Sequence, residues 1–289
     1  MKIKYFVFLL LGFSLYGFGP GSMGSDFLRL PQGARAIAMG EAYTSLADDA
    51  TSIHWNPGCL VYSGNNAFFM HSKYLAGINY NFLAATKEMG SQAMGVSIFC
   101  LYTDDIRRNE KGEELSKFSN YDLCLATGYS MKLNPYNSIG MGIKNIYRKL
   151  DDKDAFGSIF DFGFLRKEKN FNLGLSLKNL SFGEGIKFIL EHDPYPSQLT
   201  GGISYLTNSF KCALDFVKPR ESNFYLNLGF EYFIFDKFFI RAGLPKINES
   251  ILKYSYGFGF KEDNLCLDFG VSSCGNLGNP IFFSTSFNY

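Results

Sequence analysis

Chemistry at physiological pH begins with histidine, cysteine and paired acids, and this chain scatters them. Its three histidines are His54, His71 and His192. They lie in segments of different character, so spacing supplies no Ser/His/Asp grouping. Six cysteines, at 59, 100, 124, 212, 266 and 274, form no CxxC pair and no zinc-type spacing. Diluted over a long chain, they read as small apolar fillers, with a bridge in an oxidising compartment left open. No cofactor, metal site or catalytic group is expected, and the chain does not read as an enzyme. A denser set is charged: Lys144, Arg148, Lys178 and Arg241 against Asp161, Asp215, Glu231 and Asp268. Mixed signs in such numbers point to ion pairing.

The elements that carry these charges alternate. In Phe171–Lys178 one face is Phe, Leu, Leu, Leu and the other Asn, Gly, Ser, Lys. Tyr254, Tyr256, Phe258 and Phe260 likewise oppose Ser255, Gly257, Gly259 and Lys261. A period of two places each set on one side of a sheet. Segments bounded by turn signals fall near 66–74, 77–88, 91–102, 119–130, 137–148, 156–166, 170–180, 196–208, 210–218, 223–234, 237–245, 252–261, 264–274 and 281–289. At about 9–13 residues they exceed an ordinary soluble strand and suit a tilted membrane crossing. An even number returns the chain to its starting side. Short even-numbered connections also contrast with long odd ones at 103–118 and 181–195.

Composition agrees. Net charge is +1, which argues against a nucleic-acid partner. Mean hydropathy is −0.04, as expected when apolar and polar faces alternate. The 31 Phe and 18 Tyr suit lipid contact and interfacial girdles. Lys2 and Lys4 followed by apolar Tyr5–Leu15 read as a signal peptide, assigned to 1–21 with cleavage between about 17 and 24. The expected fold is all-β: a 14-stranded antiparallel transmembrane β-barrel over 66–289, with an N-terminal hatch at 22–65 plugging the lumen. Phase places Lys87 and Lys261 inward beside the eight charges above, with Asp122. A barrel this wide is not filled by its own side chains, so a plug is needed.

Residues 33–60, GARAIAMGEAYTSLADDATSIHWNPGCL, do not alternate. Their GARA, MG, AYT, ADDA and WNP elements resemble the N-terminal block of FadL-type outer-membrane transporters, in the branch with PorV- and PorQ-like proteins and a spirochaetal family. Glu41 stands where a second Gly is usual, and Gly58 where Ala follows Asn-Pro. The resemblance implies a hatch whose Asn-Pro segment sits at the periplasmic side of the lumen, with Arg35, Asp48, Asp49, Trp55, Asn56, Pro57 and Gly58 as hatch or gating residues. It also implies a hydrophobic ligand captured outside and released sideways through the wall.

Two functions follow as expectations. One is uptake of a hydrophobic small molecule such as a long-chain fatty acid, with the external segment Ile186, Phe188, Ile189 and Leu190 helping capture. The other is a non-transporting, PorV-like barrel serving a secretion or surface-attachment machine. Both place the chain in the outer membrane, among its lipids and handled by the barrel-assembly machinery that reads a C-terminal aromatic strand such as 281–289.

Overall fold

The computed structural model describes residues 24–188, 191–235, 237–247 and 253–289. The signal-peptide assignment therefore lies outside the described residues. Fourteen strands close into one antiparallel barrel. They are β1 (Asn66–Lys73), β2 (Asn79–Met89), β3 (Gln92–Arg108), β4 (Glu114–Lys132), β5 (Asn137–Leu150), β6 (Lys153–Lys167), β7 (Phe171–Leu180), β10 (Gln198–Leu206), β11 (Phe210–Pro219), β12 (Tyr225–Ile234), β13 (Phe238–Leu244), β14 (Ser255–Glu262), β15 (Leu265–Ser272) and β16 (Ile281–Asn288). Closure is made by β1 on β16, from Asn66↔Asn288 to Lys73↔Ile281. A small hairpin, β8 (Ile186–Phe188) with β9 (Glu191–Asp193), interrupts the β7–β10 connection.

Alternation decides what faces lipid. On β3, Met94, Val96 and Ile98 are exposed, while Ala93, Ser97, Phe99 and Leu101 are buried. The same exposed apolar row recurs on other strands, through Leu125, Ile139, Phe162, Leu173, Ile203, Phe216, Phe230, Ile240, Phe258 and Phe283. An apolar surface this continuous needs lipid to cover it. Stacked Tyr102 and Tyr121 (centroids 6.4 Å apart) and the Tyr147–Phe156 pair (4.7 Å) mark its upper edge.

Two expectations are corrected. The loop expected at 103–118 is mostly strand, because β3 and β4 continue past Tyr102 and turn only around Asn109–Glu113. Both faces of that extension meet solvent, so it carries no hydrophobic alternation to read. Cross-strand polar contacts such as Ser119 Oγ donating to Asp104 (2.6 Å) hold it, and the Asn109 carboxamide accepts from Lys111 and Glu113 N–H at the turn. Lys87 faces outward, not inward. On β2 the aromatics Tyr80 and Phe82 point into the barrel, reversing the phase that an apolar exterior implies.

Candidate functional site

Residues 24–63 run through the lumen. They form a 3₁₀ turn at Asp26–Arg29, helix α1 (Ala34–Ala38), helix α2 (Ser52–Trp55) and a 3₁₀ run at Pro57–Tyr62. Small residues in α1 let its backbone approach the wall: Ala34 N–H donates to Ser284 Oγ (3.2 Å) and Gly40 N–H to Ser255 Oγ (3.0 Å). Pro57 forces Asn56 into extended backbone (φ −160°). The fully buried Asn56 side chain accepts from Gly58 N–H (3.0 Å) and donates to Thr44 O (2.8 Å) and Phe164 O (3.0 Å). Trp55 Nε1 donates to Gln32 O (2.8 Å), and the Gly58 carbonyl accepts from Ser138 Oγ (2.6 Å).

Where this backbone meets the wall, the wall is glycine. A Cβ at Gly140 or Gly163 would land on the Asn56–Gly58 backbone or side chain, at Gly174 on Thr44, at Gly229 or Gly243 on Met39 and Gly40, and at Gly270 on Ala34. The glycines on the polar faces of these strands make room for this backbone. A glycine inside a strand signals close backbone approach, and that signal was available.

The eight inward charges divide into separate groups. Arg35 Nε and Nη2 donate to the Glu231 carboxylate (2.8 and 3.0 Å), and Nη1 to Asp48 (2.5 Å). Arg241 bridges Glu231 (2.6 Å) and Asp268 (2.7 Å). Lys211, which sequence reading missed, lies 3.5 Å from both Asp48 and Glu231. Burial opposes ionisation of Asp48, yet Arg35 and Lys211 hold its carboxyl below the ordinary value. Asp49, raised by burial and by Asp48, instead accepts from Thr51 N–H (2.8 Å) and Tyr43 Oη (3.2 Å). Beside this network a vestibule of about 280 Å³ opens among the barrel's β1, β11–β16 ends.

Elsewhere, Lys144 Nζ meets Asp161 (2.6 Å) and Asn179 Oδ1 (2.9 Å). Arg148 pairs with Asp122 (2.5 Å), and Asp215 accepts from the N–H groups of Tyr43 and Thr44 (3.0 and 2.9 Å). Lys178 Nζ lies 5.2 Å above the Trp55 ring. Asp215 holds the inner segment directly, whereas the Lys144 and Arg148 pairs join neighbouring strands of the wall; the groups do not form one ring of single sign.

The lumen has an apolar side that the sequence did not announce. Phe68, Met70, Tyr80, Phe82, Phe99, Leu101, Ile146, Ile159 and Phe282 point inward from β1–β3, β5, β6 and β16. Phe27 and Leu28 of the inner segment fill the space between them, with Phe27 5.4 Å from Phe99 and under the Arg148 guanidinium (5.6 Å). Of the expected capture residues, Ile186 is fully buried beside Gly24, Phe188 ends β8, and Ile189 and Leu190 lie outside the described residues.

His54 stands between the two sides, lining an apolar cavity with Phe82 and Phe99 and a polar one with Lys178 and Asp215. Burial, then Lys178 and Lys144, push its pKa well below the ordinary 6.5. Unfolded, it titrates near 6.5, so below that pH the unfolded chain binds more protons. The His54 contribution to stability is thus full above about pH 6.5 and falls by about 1.4 kcal/mol per pH unit below it, until the folded group protonates. Urea midpoints followed by emission of Trp55, the single tryptophan, should drop between pH 7.5 and 5. His54→Gln should flatten that slope.

The fold and lumen define a class: a closed 14-stranded antiparallel barrel whose interior holds the chain's own N-terminal segment. Among solved structures, the chain is similar to the Pseudomonas putida toluene transporter TodX, at 13% identity and TM-score 0.65, covering 89% of this chain and 98% of that one. The CymD monoaromatic hydrocarbon channel is similar too, at 13% identity and TM-score 0.64, covering 89% and 97%. Identities this low establish the fold alone. No protein-family model and no curated protein matches the sequence.

Proposed function

We propose that this barrel admits hydrophobic small molecules across the outer membrane, with residues 22–65 as its hatch. The observation that carries this reading is the apolar side of the lumen, occupied by Phe27 and Leu28. Apolar walls facing a water-filled pore are unfavourable, whereas a dry compartment takes up an apolar ligand. The occupying segment is tied to the outer rim by few bonds: Gly24 N–H to Pro194 O (2.9 Å), Arg29 to Glu221, and Tyr80 Oη to Pro31 O. The periplasmic end is held by the Arg35–Glu231 network and the glycine contacts, which favours release sideways. The β6–β7 seam suits that step, since its pairing shifts between Phe160 and Phe162 beside Asn179 (φ 58°). Single-ring hydrocarbons, after the named channels of like fold, and a long-chain fatty acid are the ligands to try.

Liposomes carrying the protein should take up labelled toluene or oleate faster than empty ones; equal rates for both would reject transport. Phe27→Ala removes an aromatic pair of about 1 kcal/mol, so apparent affinity should rise about fivefold. Locking the β6–β7 seam with a cysteine pair should block uptake.

A second reading, a non-transporting barrel serving a secretion or attachment machine, is favoured by the β3–β4 extension. Above Tyr102 and Tyr121 neither outer edge of this hairpin has a strand partner in β2 or β5. Cross-linking in intact cells that recovers only barrel-assembly machinery would count against it.

A further inference from the structure

The apolar side of the lumen is aromatic where Phe27 enters it. The Phe27 ring lies 5.4 Å from that of Phe99, tilted by 43°, and Phe99 lies 5.0 Å from Tyr80. Tyr80 in turn stands edge-on to Phe282 at 6.1 Å, and Phe68 edge-on to Phe82 at 6.0 Å. Over Phe27 stands a cation: the Arg148 guanidinium carbon is 5.6 Å from the ring centroid. Asp122 holds that guanidinium by its edge, through Nε (2.5 Å) and Nη2 (3.4 Å). A guanidinium bound at its edge keeps its flat faces for an aromatic ring. Lys144, which also lines the space beside Phe99, is turned instead to Asp161 and Asn179.

Phe27 belongs to the inner segment, not to the wall. It sits in a single 3₁₀ turn, Asp26–Arg29, entered through Ser25 at φ 59°, a strained backbone for a residue with a Cβ. Phe99, Tyr80 and Arg148 are instead fixed on β3, β2 and β5. An aliphatic chain that takes the place of the Phe27 ring gains only buried area. An aromatic ring gains in addition an oriented contact with Phe99 and the attraction of its negative face for Arg148.

We infer that the Phe27 pocket is a site for a single aromatic ring, and that Arg148 is the residue that distinguishes a ring from a saturated chain. Such a site rests on the uptake of hydrophobic small molecules proposed above, and it narrows their class to aromatic rings over aliphatic chains. With the inner segment in place, Phe27 occupies the site as an internal stand-in for the ligand.

Benzene and cyclohexane, both apolar and nearly equal in size, test this on the detergent-solubilised barrel, by headspace gas chromatography against protein-free micelles. Phe27→Ala vacates the site and should retain benzene about tenfold more tightly than cyclohexane, from one ring pair and one cation contact. F27A/D122N, which keeps Arg148, should hold that ratio. F27A/D122N/R148M, which strands no carboxylate, should drop to about threefold with cyclohexane retention unchanged. Trp55 emission and heat-modifiable mobility confirm that each variant is folded. Equal retention of the two hydrocarbons by F27A, retention of neither, or an undiminished ratio in F27A/D122N/R148M overturns the proposal. Liposomes that show no uptake, although F27A keeps the ratio and F27A/D122N/R148M loses it, would reject transport and leave the aromatic site standing.

Discussion

Gly163→Val is expected to unseat the inner segment while leaving the barrel closed. The Cβ of any residue at 163 lands on Asn56 Oδ1 and on the backbone nitrogens of Pro57 and Gly58. None of these is the free end of a flexible chain, so the segment itself must move. Ordinary overpacking costs about 1–3 kcal/mol. Displacing Asn56 also breaks its donations to Thr44 O and Phe164 O, leaving buried carbonyls unpaired at about 1–3 kcal/mol. Together they predict a loss of about 2–6 kcal/mol in the urea transition seen by Trp55, one residue from Asn56. Gly201→Ala is the control, because nothing lies within 4 Å of a Cβ there. Heat-modifiable mobility, which reads the barrel wall, should persist in both variants. Equal Trp55 transitions in Gly163→Val and wild type would mean that the segment is loosely held and that the glycine contacts are incidental.

That prediction rests on a feature half visible in the sequence. Alternation over 66–289 gave strand positions, their even number and the short connections on one side, because a sheet facing lipid on one side and a packed lumen on the other must alternate. It could not give the β3–β4 extension, whose two faces see the same solvent and so lack contrast. It misassigned β2 for the opposite reason. An aromatic row reads as lipid-facing, but Tyr80 and Phe82 turn inward into the cluster that holds Phe27, and no local rule links residue 27 to residues 80–82. The non-alternating 33–60 stretch was legible as something other than strand. Its partners were less so: Lys211 joins Asp48 and Glu231 only through the closed barrel, and an inward lysine carries no mark of the acid it will meet.

Glu231→Ala is expected to have the second large effect, because it removes the acid shared by three cations. Glu231 is fully buried, accepts from Arg35 twice and Arg241 once, and lies 3.5 Å from Lys211. Removing it leaves Asp48 and Asp268 as the acids facing Arg35, Arg241 and Lys211 in this network. Breaking a buried pair by deleting one partner costs about 3–5 kcal/mol, since the stranded charge stays desolvated. Part of that cost is relieved here, because the 280 Å³ vestibule beside the network can admit water. The expected loss is therefore about 3 kcal/mol, at the lower end of that range. Arg35→Met alone should also destabilise by stranding Glu231, but the Glu231→Met/Arg35→Met double variant should lose less than the sum, since each residue is costly chiefly in the other's absence. The direction of the functional effect separates a gate from a stopper. If the Arg35–Glu231 contact is what holds the periplasmic end shut, Glu231→Ala should raise single-channel conductance in planar bilayers while Arg35→Lys stays near wild type. If conductance is unchanged although stability falls, the glycine contacts on β5, β6, β7, β12, β13 and β15 hold the segment in place without the network, and release of any ligand must be through the wall.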